Sequence, residues 1–159
     1  MSYGIGHKIT ELQDKVITLV NNNITYLGVD AKRLGTEFFE KPRNLIDDIP
    51  FIFVDTEKVS ITSSQLNSAG KVLSHTENHG IIVYVGSDRL KTADTDYGID
   101  NMIDDVTTYV NGDTLNLDGV HGTDLKSCKQ YAKFPIKSNK IEQIIIWRMV
   151  FDVELFRTD

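Results

Sequence analysis

The sequence predicts an α/β protein of the α+β kind: a single mixed or antiparallel sheet of about four to five strands with two main helices packed on it. Three observations carry this. The closing stretch 141–156 (IEQIIIWRMVFDVELF) places Ile145, Trp147, Met149, Phe151, Val153 and Leu155 at every second position, the period of a strand with one apolar face. Two further short runs, 51–54 (FIFV) and 81–85 (IIVYV), are rich in β-branched and aromatic residues. Two other segments repeat apolar residues at helical spacing.

The final strand sets the frame. Its even positions begin apolar with Ile144 and Ile146 and then turn mixed at Arg148, Asp152 and Glu154. Its first half therefore reads as buried on both faces and its second half as having one wet face. Such a strand needs paired neighbours on both sides and a helix or second sheet on its apolar face. Its length exceeds the usual 3–10 residues, which predicts a bend or bulge within it.

From the N-terminus, Ile9, Leu12, Val16, Leu19 and Val20 form a stripe widened by Ile17, an amphipathic helix over residues 9 to 21 suited to lie on a sheet. Thr10 and Gln13 have capping-box spacing, and Asn21–Asn23 closes the helix because asparagine tolerates turn conformations. Residues 24–50 read as a loop-rich connection holding one short helical turn or strand, with Phe38 and Phe39 as core aromatics under a loop. Pro50 opens the first apolar strand, which continues through Val59 and Ile61 into a turn-like stretch at 63–70.

Residues 71–79 hold His75, Glu77 and His79, which suggests a metal site superficially. The two-histidine zinc motif, however, sits on a helix with its acid next to the first histidine, and zinc takes three protein ligands even in catalytic sites. No metal site is assigned. Gly80 leads into the second strand, 81–85. The acidic link 87–98 and the residues after it cluster Asp94, Asp96, Asp100, Asp104 and Asp105. A calcium loop wants glycine at its sixth position and a closing glutamate; Gly98 is fifth from Asp94 and no such glutamate follows. The acids instead favour the positive N-terminus of a helix from Ile99 to Val110, with Ile99, Met102, Ile103, Val106 and Val110 on one face and Asn111-Gly112 as its stop. Leu115 and Leu117 read as a short extended piece, 118–119 as a turn, and 125–134 as a strand ended by Pro135. Residues 137–140 link it to the final strand. The core is expected to contain Leu12, Val16, Val83, Ile103, Val106, Trp147, Met149 and Phe151.

The chain has 159 residues, 40% of them hydrophobic and 25% charged, which fits one domain of ordinary globular composition. No apolar run reaches the ~20 residues of a membrane span, and the N-terminus lacks a secretion signal, so folding in a cytoplasm is expected. A single cysteine, Cys128, excludes an internal disulfide and reads as a small buried hydrophobe. The net charge is −6, with 23 acidic against 17 basic residues and the basic ones scattered, which disfavours nucleic-acid binding as the main activity.

No signature of chemistry stands out. There is no Gly-x-Ser-x-Gly, Cys128 has no activating partner in the sequence, and Gly4-Ile5-Gly6 lacks the strand and further glycine of a phosphate loop. No catalytic, cofactor-binding or metal-ligating residue is assigned, and an enzyme is not expected.

The order of elements resembles a known family. An amphipathic helix, a proline-introduced strand (Pro50 to Val54), a strand at Ile81 to Val85, an acidic link into a helix ending YVNGDTLNL (Tyr109 to Leu117) and the closing WRMVFDVELF are together similar to tail terminator or minor tail proteins of long-tailed bacteriophages, especially the Mu-like contractile-tailed group. The resemblance spans most of the chain from Ile9 onward through soft, hydrophobic motifs. It implies a single domain over 1–159 that forms a homo-oligomeric ring, commonly a hexamer. That ring would cap the tail tube protein and join it to the head-side connector, in the virion tail after assembly in the host cytoplasm. It further implies no catalytic residue or cofactor, no membrane, and DNA only as passing cargo, with Asp94 to Asp105 as candidate lumen-lining acids. Competing expectations are a head–tail connector or neck protein, a tube or baseplate component, and a cytoplasmic ligand-binding protein or enzyme.

Overall fold

The fold was analysed on a computed structural model, which describes residues 5–25, 27–28, 30–34, 49–66, 69–70, 72–90, 98–135 and 143–158. The elements are α1 (Ile5–Asn23), β1 (Lys32–Arg33), β2 (Phe51–Leu66), β3 (Val72–Ser87), α2 (Ile99–Val110), β4 (Val120–Pro135) and β5 (Gln143–Thr158). They form one mixed five-stranded sheet in the order β1-β2-β3-β5-β4 with two helices, an α+β fold. β1 pairs parallel to β2 over two residues, and all other pairings are antiparallel.

Period-two alternation sorts the strands into two faces. Ile81, Val83 and Val85 of β3 and Met149, Phe151, Val153 and Leu155 of β5 lie on one face, under Leu12, Val16 and Val20 of α1 and Ile99, Met102, Val106 and Val110 of α2. The opposite face buries Phe51, Ile82, Tyr84, Ile144, Ile146 and Val150. Of the eight expected core residues, Leu12, Val16, Val83, Val106, Met149 and Phe151 are buried, while Ile103 and Trp147 are partly buried against them.

β5 is flanked by β3 and β4, as its two apolar faces require, but the irregularity expected within it lies elsewhere. The β3–β5 register runs without a break from Ser74↔Thr158 to Ser87↔Ile145. The register shifts fall in the β2–β3 and β4–β5 pairings, three in each, and the extra residue lies on the outer strand in all but the one at Gln65/Leu66, where β3 carries it near its start. An outer strand can give up a ladder bond to water, whereas a central one would leave it buried.

Several boundaries differ from expectation. α1 begins at Ile5, so Thr10 and Gln13 lie mid-helix and form no capping box. Gln13 instead donates to Thr56 Oγ1 at 2.8 Å and accepts from Arg33 Nε at 2.9 Å, tying helix to sheet. Asn21–Asn23 is the last turn of the helix, with Asn23 Nδ2 donating to the Leu19 carbonyl at 2.8 Å. Residues 63–66 are strand, not turn, and 72–79 are strand as well, because the two long strands zip together along 16 residues each. Leu115 is not extended: it and Asn116 take φ of 56° and 52° in a tight turn. Phe38, Phe39, Asp94 and Asp96 lie outside the described residues.

α2 is tied to the start of β4. Gly112 N donates to the Thr123 carbonyl (2.8 Å), Thr123 N to the Asp113 carbonyl (3.0 Å), and Thr123 Oγ1 to the Val110 carbonyl. Gly112, just past the helix, takes φ of +81°, the left-handed conformation that favours glycine there. Asp100 stands in the first turn of α2, where its charge favours the helix dipole.

Candidate functional site

The long strands project far beyond the part of the sheet that the two short apolar runs could announce. Continuing the alternation of β3 backward from Ile81 places His79, Glu77 and His75 on the helix-bearing face. All three are buried: Glu77 is 0% exposed, His79 1% and His75 5%. A carboxylate at full burial is expensive unless its oxygens are saturated by donors, and here they are. His75 Nε2 contacts Glu77 Oε2 at 2.6 Å and His79 Nε2 contacts Oε1 at 2.8 Å. The third donor comes from 80 residues away: Arg157 of β5, opposite His75 in the register, bonds Oε2 at 2.9 Å.

Burial by itself would raise the Glu77 pKa, but the hydrogen bonds from His75, Arg157 and His79 and the charge of Arg157 outweigh it. The carboxyl is held below its ordinary value. His79 is pushed the other way from a typical salt-bridged histidine: desolvation lowers its pKa by more than Glu77 restores. The cluster is therefore a carboxylate and a guanidinium with a neutral imidazole at His79. Among the described residues, His79 Nδ1 is buried with no hydrogen-bond partner.

This arrangement answers the metal question raised by the His-x-Glu-x-His spacing. Both histidines spend Nε2 on the carboxylate, and a guanidinium occupies the remaining side of it. Among the described residues no group of three or more His, Cys, Asp or Glu is placed to hold a metal ion. With three of its side chains at most 5% exposed, the cluster is also closed to a substrate.

Among the described residues, two open grooves lie at the surface. The larger, about 520 Å³, includes Asn78, Asp124, Lys126, Asp152 and Glu154 in its lining. Asp124 stands directly opposite Asp152 across β4–β5, a like-charge pair that costs stability, and Lys126 offsets it by bonding Asp124 at 2.6 Å. The smaller, about 360 Å³, lies between α1 and the turn 113–116. In the larger groove the Thr123 hydroxyl is committed to the Val110 carbonyl. Cys128 is half-buried on β4, and burial raises its thiol pKa, which opposes reactivity. His121 stands exposed at the rim of the larger groove, apart from the other two described strand histidines. No helix among the described residues is long and apolar enough to cross a membrane.

What these features define is a class: an α+β sheet protein with helices on one face and a buried ionic cluster beyond them. Compared with known proteins, the chain matches no protein-family model and no curated sequence.

Proposed function

We propose that the chain is a structural virion protein that caps a phage tail tube as a homo-oligomeric ring and joins it to the head-side connector. The observation that carries the reading is the occurrence, in this order among the described residues, of a helix, two long strands, a second helix and a long closing strand, the order on which the resemblance to tail terminators rests. A ring uses a heterologous interface repeated by rotation, and the sheet offers one candidate element. β4 is its outermost strand, 16 residues long, with Tyr131 exposed on it. Three bulges and the exposed Lys126, Lys129 and Lys133 interrupt that edge. Such features resist indiscriminate strand pairing and suit an assembly that stops at one ring better than one that grows without limit. Asp104 is exposed on α2, a candidate for the lining of a lumen that repels passing DNA.

The test is light scattering coupled to size exclusion, on the protein alone and with purified tail tube protein. A discrete ring, formed alone or on the tube end, supports the reading. A chain that stays monomeric in both mixtures refutes it. Co-purification with a portal-side protein but not with tube protein would replace it by the neck-protein alternative, and open-ended polymers by the tube alternative.

A further inference from the structure

We propose that the His75–Glu77–His79–Arg157 cluster is an acid-released latch: it holds the far end of the sheet closed while the His79 imidazole carries one proton, and lets it open when that ring takes a second. The proposal is independent of the ring reading.

The proton inventory follows from the geometry. Glu77 as a carboxylate can only accept, so His79 donates from Nε2 and keeps a lone pair on Nδ1. With the Glu77 carboxylate set against the Arg157 guanidinium, a neutral His79 adds no charge to the buried cluster. A second proton on His79 would go to Nδ1, which is buried and without a partner among the described residues. That proton would add a net charge and leave a buried donor without an acceptor. Both terms favour conformations in which the ring reaches water.

The ionisable groups facing the cluster among the described residues are few. β3 supplies His75, Glu77 and His79, and β5 supplies Arg157 beyond the apolar Val153 and Leu155. β2 places Val59 opposite His79 and Ile61 opposite Glu77, neither of them charged. β4 ends its pairing at Val120↔Leu155 with no ionisable group.

The element that would open is also defined. Beyond Leu155 the sheet narrows, because β4 no longer pairs and β5 is held on that side by the Phe156 N–H bond to the Gly119 carbonyl, 2.9 Å. Residues 74–77 of β3 and 155–158 of β5 thus form a narrower flap at the end of the sheet. Segments with fewer neighbours open at lower free energy than the core. The latch adds a pH term: one proton taken up on opening changes the opening constant about tenfold per pH unit, between the ordinary histidine pKa and the lowered one.

Amide hydrogen exchange from pH 7.5 to 5.5, corrected for intrinsic rates, tests this on the intact chain. Protection at 74–77 and 155–157 is expected to fall on acidification, by at most about tenfold per pH unit below the ordinary histidine value, while that at 81–85 stays level. In His75→Asn/His79→Gln, whose amides can still donate to Glu77 but do not titrate, the fall is expected to vanish. Imidazole nitrogen NMR on the unaltered protein gives a second readout, expected to show the Nε2–H tautomer for His79 at pH 7.5. Level protection in the unaltered protein, an undiminished fall in the double variant, or a doubly protonated His79 imidazole at pH 7.5 would overturn the proposal. So would displacement of Arg157 from Glu77 by added Zn²⁺, which would make the cluster a metal site.

Discussion

Glu77→Gln is the sharpest probe of the buried cluster. The substitution is nearly isosteric, so it leaves packing intact and changes only charge and acceptor count. The carboxylate receives three donors, at 2.6, 2.8 and 2.9 Å. Glutamine keeps one acceptor oxygen and turns an NH₂ toward at least one of them. An imidazole facing that NH₂ can change tautomer and accept, which limits the damage to one side. The loss that remains is the charge assistance to Arg157, whose side chain is only 13% exposed. Hydrogen bonds to charged groups are worth ~1.5–3 kcal/mol and breaking a buried pair about 3–5, so a destabilisation of about 2–4 kcal/mol is expected. For a chain of this size that is a fall in Tm of roughly 4–16 °C, at ~2–4 °C per kcal/mol. Urea denaturation at pH 7.5 should show it as a lower midpoint with an unchanged slope. A loss below about 0.5 kcal/mol, the range of an ordinary surface change, would refute the view that Glu77 is a buried, saturated carboxylate.

Other outcomes follow from the same coordinates. Global stability is expected to fall on acidification: the lowered pKa of His79 contributes stability present above its ordinary value of 6.5 and lost as pH falls through its folded one. A second loss comes below the ordinary 4.5 of Glu77, whose folded pKa is also lowered, and denaturation midpoints across pH 4–8 read both. Gly86→Ala would place a Cβ 2.1 Å from the Phe51 ring, itself stacked on Phe53 at 4.5 Å. It should cost about 1–3 kcal/mol, and Phe51→Leu should partly rescue it in a double-mutant cycle. Gly119→Ala meets backbone instead, 2.3 Å from the Phe156 carbonyl oxygen and at φ of +85°, so no side-chain change should rescue it and calorimetry should show a lower Tm. Met149→Ala, fully buried at the centre of the sheet, should cost ~2–5 kcal/mol by urea titration, while exposed Glu154→Ala should stay within about 0.5.

The gap between strand and turn at 63–79 shows where sequence reading stops. Residues 51–54 and 81–85 announce themselves because apolar side chains must be buried wherever they fall. Residues 72–79 carry serine, threonine, asparagine and histidine, whose placement in a strand is decided by the partner they zip against. The signal for the cluster was nonetheless present as period two. Counting back from Val83 and Ile81, His79, Glu77 and His75 share their face, which a helical reading of the His pair conceals. Arg157 had no such signal, since only the β3–β5 register brings it beside His75.

By itself the sequence determined the α+β class, the helix stripes, the double-sided burial of β5 at Ile144–Ile146 and the stop of α2 at Asn111-Gly112. Each follows from the period of apolar side chains or from a local backbone preference, and both are encoded within a few neighbouring residues. Only the tertiary structure decided the strand order β1-β2-β3-β5-β4, the displacement of bulges to the outer strands, and the meeting of Glu77 with Arg157. Those depend on which distant segments pair and in what register, a choice set by the free energy of the whole sheet.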